Sequence, residues 1–110
     1  SPSSRGGTNM IQYRIYAAPP VDESPGEVVE VREELTKYLT RRFGGVTCSP
    51  TVGGWLDSGK VCIETGIVWE VITNAGRPEI DDAASYIRAL LRQKEVLVTR
   101  TPVESWSVGT

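Results

Sequence analysis

The sequence predicts one α+β domain, a ferredoxin-like βαββαβ sandwich in which two helices lie on one face of a four-stranded antiparallel sheet. Three patterns predict it. Strand-like alternation from Ile11 to Ala17 precedes a capped amphipathic helix. A long β-branched and aromatic stretch from Val46 to Thr73 is broken by paired glycines and an Asp-Ser-Gly turn. A second amphipathic helix then leads into a short apolar strand. At 110 residues the chain suits one hydrophobic core rather than two.

Ser1 to Asn9 is small and polar with no apolar period, and reads as a tag remnant or disordered leader, leaving 10–110 as the domain with Met10 as its native start. Ile11, Tyr13, Ile15 and Ala17 alternate with Gln12, Arg14 and Tyr16, so the first strand points one set at the core and the other away from it. Pro19-Pro20 ends it, because neither residue donates a ladder hydrogen bond. Ser24-Pro25-Gly26-Glu27 supplies a capping box with proline at the first helical position. Val28, Val31, Leu35, Leu39 and Phe43 form the inner stripe of that helix, Glu30, Glu33, Glu34, Lys37 and Arg41 its outer face, and Gly44 its stop.

Val46 to Leu56 and Lys60 to Thr73 are expected to pair as a hairpin through Asp57-Ser58-Gly59, with a bend or bulge near Thr65-Gly66; Pro50 marks the first arm as an edge strand. Pro78 opens the second helix, whose stripe is Ile80, Ala83, Ala84, Ile87, Leu90 and Leu91. Val96 to Thr99 forms the last strand, and a tail carrying Trp106 begins at Thr101-Pro102.

Charge and composition narrow the chemistry. The formal net charge is −2 and the basic residues are scattered among acids, so nucleic acid is not an expected partner. The adjacent pair Arg41-Arg42 complements a helix dipole. No apolar run approaches the roughly 18 residues of a membrane span, so no membrane partner is expected and the predicted location is cytoplasmic. There Cys48 and Cys62 would stay reduced and pack as small apolar side chains. The chain has no histidine and its cysteine spacing matches no zinc pattern; no metal and no cofactor are expected. Proton transfer would therefore fall to a carboxylate, tyrosine, lysine or thiol. Gly44-Gly45 and Gly53-Gly54 match neither a P-loop nor a dinucleotide fingerprint.

Two helices cover one side of such a sheet, yet its strands carry apolar residues on both: Tyr16 opposite Ile15, and Val68 and Ile72 opposite Trp69 and Val71. An uncovered apolar face marks association or ligand binding. The functional expectation is a noncatalytic binding or interaction module, a homodimer through the open sheet face, with the Trp106 tail as an intramolecular alternative cover. The alternative is a small metal-free dimeric enzyme or small-molecule carrier. Its ligand-binding candidates are Tyr16, Thr47, Trp55 and Glu64, with Glu64 as the candidate catalytic acid or base. Against that stands a purely structural use of the same residues: Trp55 packs over a hairpin glycine, and Glu64 pairs with Arg14 or Arg100 across the sheet. Arg14 and Arg100 could instead hold an anionic ligand on the open face.

Phe43-Gly44-Gly45-Val46-Thr47, then Gly53-Gly54-Trp55, then Asp57, Gly59 and Glu64, followed by the apolar strand to Val71, resemble the pattern of a group of small bacterial domains of unknown function. The similarity covers roughly Ile11 to Val103. It implies a ferredoxin-like fold and carries no assigned activity.

Overall fold

The computed structural model describes residues 8–18 and 25–109, so Ser24 and Pro19-Pro20, expected to cap α1 and stop β1, lie outside the described residues. The elements run β1 (Thr8–Ala17), α1 (Pro25–Phe43), β2 (Thr47–Asp57), β3 (Lys60–Thr73), α2 (Arg77–Leu90) and β4 (Leu97–Ser105). The sheet order is β2-β3-β1-β4 with every neighbouring pair antiparallel, which is the predicted ferredoxin-like arrangement.

Alternation along β1 and β3 decides which side the helices take. Tyr13 and Ile15 are buried together with Ile67, Trp69 and Val71, and both helices press their stripes against this side: Leu35 and Leu39 from α1, Ile80, Ala83, Ala84 and Ile87 from α2. Trp69 sits at the centre, fully buried, in register with Ile15 and Cys48, and its indole N–H donates to Thr36 Oγ on α1 at 3.2 Å. A buried indole needs such a partner. Tyr13 donates its hydroxyl to Ala75 O at 3.0 Å, anchoring the turn into α2. Where the helices meet, Tyr38 and Tyr86 stack at 4.4 Å between centroids. Arg42 donates to Tyr38 Oη at 2.7 Å and lies 3.6 Å from Asp82, so this arginine ties α1 to α2 as well as complementing a dipole.

The structure departs from the sequence expectations at three places. Strand β1 starts at Thr8, inside the stretch read as leader, because Thr8 and Asn9 pair with Ser105 and Glu104. Strand β4 runs through Pro102 to Ser105; it is an edge strand, where a missing N–H breaks no ladder, so Pro102 does not end it. Pro50 obeys the same rule on β2, the other edge. No bulge forms at Thr65-Gly66, for the β2–β3 register is unbroken from Thr47↔Glu70 to Asp57↔Lys60. Gly66 serves close approach instead: a Cβ there would stand 2.8 Å from Ala17 O and 3.0 Å from Thr51 Oγ.

The end of α2 carries a feature with no glycine to announce it. Gln93 N–H bonds Arg88 O and Arg92 N–H bonds Ala89 O, the paired bonds of a Schellman cap, with Arg92 in the left-handed region at φ 53°. A side chain there costs roughly 1 kcal/mol that glycine does not. Arg92→Gly is therefore expected to raise stability by up to about 1 kcal/mol in urea unfolding; a loss of stability would show that other contacts of Arg92 outweigh the backbone strain.

Candidate functional site

Register puts all four sequence candidates on the sheet face away from the helices. Tyr16 faces Val68 and Leu97, Thr47 faces Glu70, Trp55 faces Cys62, and Glu64 faces Gly53. Trp55 and Glu64 are diagonal neighbours on the hairpin, and the structure brings these two together. Tyr16 and Thr47 are elsewhere: their partners Val68 and Glu70 lie four and six residues along β3 from Glu64, roughly 13 and 20 Å at strand spacing.

Nearer the middle of this face, Arg14 Nε donates to Glu70 Oε2 at 2.9 Å, and that hydrogen bond raises the guanidinium pKa further above its ordinary value. Arg14 therefore pairs with Glu70 and not with Glu64. Arg100 lies across from Tyr13 on the helix side, in a small cleft of about 190 Å³ beside Arg77, Ile80 and Asp81. The two arginines thus sit on opposite faces and do not form one anion site. Tyr16, Val68, Leu97 and Ile72 share the open face with Arg14, Glu70, Gln12, Thr47, Thr99 and Thr101, so the face is mixed rather than continuously apolar. Trp106 is 64% exposed and does not cover it.

The most apolar exposed surface lies on the hairpin. Beyond Ile67 the two arms run on past the helices, and their helix-side positions continue as Val52 opposite Thr65, Gly54 opposite Ile63, and Leu56 opposite Val61. Val52, Leu56, Val61 and Ile63 are 75%, 71%, 65% and 74% exposed. This stripe prolongs the hydrophobic core onto a bare ribbon. The hairpin closes through Ser58 at φ 52° and Gly59 at φ 81°, the two left-handed residues of a type I′ turn, whose twist suits a long two-stranded ribbon.

A second concave feature lies between α1 and the free edge of β2. This cleft of about 480 Å³ is lined by Arg32, Glu33, Thr36, Lys37, Cys48, Ser49 and Pro50. Burial pushes the Cys48 thiol up in pKa, offset in part by a hydrogen bond with Thr36 and by the charge of Arg32. Neither cleft is lined by Tyr16, Trp55 or Glu64. Both cysteines are free thiols, and among the described residues no three His, Cys, Asp or Glu side chains come together as a metal site would need.

The stripe was readable as even spacing, by four in Val52 and Leu56 and by two in Val61 and Ile63; what the sequence lacked was the end of the helices relative to the ribbon. The cleft had no signal at all, because it exists only where α1 crosses beside β2.

No protein-family model matches the sequence, and no curated protein matches it. Solved structures do. CutA1 from Oryza sativa superposes with a TM-score of 0.65 at 12% identity, over 92% of this chain and 85% of that one. The divalent cation tolerance protein CutA1 from Thermus thermophilus gives 0.63 at 15% identity, over 89% and 88%. A phage SAM lyase in complex with S-methyl-5'-thioadenosine gives 0.59 at 13% identity, over 90% and 92%. At these identities the likeness is one of fold: the chain has the ferredoxin-like architecture that the CutA proteins and this lyase also have.

Proposed function

We propose that the chain is a noncatalytic interaction module that associates with a second copy of itself, burying the hairpin stripe, which lies on the opposite side of the sheet from the open face that the sequence points to. The observation that carries this is the stripe Val52, Leu56, Val61 and Ile63, four large apolar side chains on one face of the two-stranded ribbon and mostly exposed. Such a patch on a single chain marks an interface. A second copy is the favoured occupant because the stripe continues this chain's own core pattern, which a copy offers in complementary form. The mixed open face, on the other side of the sheet, stays outside this contact, and its Arg14–Glu70 pair stays near water. A cytoplasmic setting, in which Cys48 and Cys62 remain reduced, belongs to the same proposal, as does kinship with the small bacterial domains whose motif the hairpin carries.

The fold leaves the choice of activity open, since proteins named for cation tolerance and for lyase chemistry share it. No helix is long and apolar enough to cross a membrane among the described residues. The test is sedimentation equilibrium at micromolar concentration. The unmodified protein is expected to sediment as a dimer, and Leu56→Lys with Ile63→Lys to weaken association by at least about thirtyfold, the size of a hot-spot loss. The substituted side chains are exposed within the chain, so its thermal unfolding as a monomer should be little changed. A monomer throughout, or an unmoved mass in the double variant, overturns the proposal.

A further inference from the structure

We propose that the cleft between α1 and the β2 edge binds a small anionic metabolite, a carboxylate or phosphate monoester carrying an apolar body. Arg32, Glu33, Thr36 and Lys37 recur at one and four residue steps, so the helix presents them together along one wall. The other wall is β2 from Cys48 to Pro50, which pairs only with β3 and leaves its outer backbone groups without a strand partner.

Charge points to an anion. Among the described residues neither Arg32 nor Lys37 has a carboxylate within 4.0 Å; Arg41, Lys60, Arg88, Lys94 and Arg100 share that state, and what sets Arg32 and Lys37 apart is that both line one cleft. Arg32 is half-buried. With Glu33 on the rim, the wall carries two cations against one acid, a net positive charge that favours an anion. The planar guanidinium fork matches a carboxylate or phosphate edge, and lysine adds a point charge.

The floor suits the apolar body. Thr36 Oγ is already committed, accepting from Trp69 and donating to Arg32 O at 2.8 Å, and it holds the helix wall at a fixed distance from the core. Beside it lie the Cys48 thiol and the Pro50 ring. Burial favours the neutral thiol, so the floor brings no competing negative charge. The volume of about 480 Å³ falls within the roughly 300–1,000 Å³ of small-molecule sites.

Amide-resolved NMR titration of the full chain, at constant ionic strength, tests this with phenyl phosphate and separately with benzoate as probes. Shifts are expected at the amides of 32–37, Cys48, Ser49 and Thr51, and the probe that binds more tightly tells phosphate from carboxylate. Arg32→Gln should weaken that binding by about tenfold, as loss of a charge-assisted pair implies. Arg32→Lys should fall between, and Arg41→Gln, on the same helix outside the cleft, should match the unmodified protein. Shifts scattered over the surface, shifts reproduced by chloride, or an Arg32→Gln variant that binds as well as its parent would each overturn the site. Repeating the titration on the Leu56→Lys, Ile63→Lys protein separates this result from self-association: binding by that monomer stands whatever the oligomeric state.

Discussion

Trp69→Ala is expected to lower the stability of the fold by about 3–5 kcal/mol, the range for removing a buried aromatic side chain. Small domains hold only about 5–15 kcal/mol in total, so the variant should be largely unfolded by mild urea. The reason is position. Trp69 is fully buried and belongs to the cluster containing Ile15, Leu35, Leu39, Ala83 and Ile87, so it touches the sheet and both helices at once. Its removal also strips Thr36 of the indole donor. Trp69→Phe separates the two contributions: it keeps most of the packing, loses the hydrogen bond, and should cost about 1–2 kcal/mol. A shift below 1 kcal/mol for the alanine variant would mean that the core closes over the gap or that Trp69 is not its centre.

The second large effect falls on Gly66. Gly66→Val should cost about 2–3 kcal/mol by overpacking, since its Cβ would meet Ala17 O at 2.8 Å and Thr51 Oγ at 3.0 Å. The threonine side chain can rotate away. The carbonyl belongs to the backbone of β1 and yields only if β1 parts from β3. Hydrogen exchange should show the damage concentrated at Ala17 and Ile67 while protection around Val71 persists. Gly53→Ala is the control, because a Cβ there meets nothing within 4 Å and should change stability by less than about 0.5 kcal/mol. Equal losses in both variants would refute the close-approach account.

Both expectations rest on residues whose roles the sequence disclosed unequally. Trp69 was legible: alternation assigned it to the core side of β3, and its partners on α1 and α2 followed from helical spacing at Leu35, Leu39 and Ile87. Gly66 was visible as an irregularity and misassigned, since a glycine that breaks a ladder and one that admits a neighbour look alike without the third strand. Pro102 went the same way, because only sheet order decides whether a proline stops a strand or borders it. Arg92 gave no sign, as a left-handed cap without glycine is set by the packing of α2 rather than by its own residue type. Of the candidate site, Trp55 and Glu64 do come together, since one hairpin register fixes both. Tyr16 and Thr47 share their face but not their neighbourhood: period two gives the side of a sheet and says nothing about distance along it.

The turn at Ser58-Gly59 has a kinetic consequence. A two-residue turn, with Gly59 free of strain at its left-handed angle, lets the β2–β3 ribbon zip from its tip using neighbours in sequence, on the order of 1–10 μs. Joining Thr8 to Ser105 must instead wait for nearly the whole chain to be gathered in. Refolding should thus pass through chains that display a finished ribbon before their helices dock, and its yield should fall as protein concentration rises.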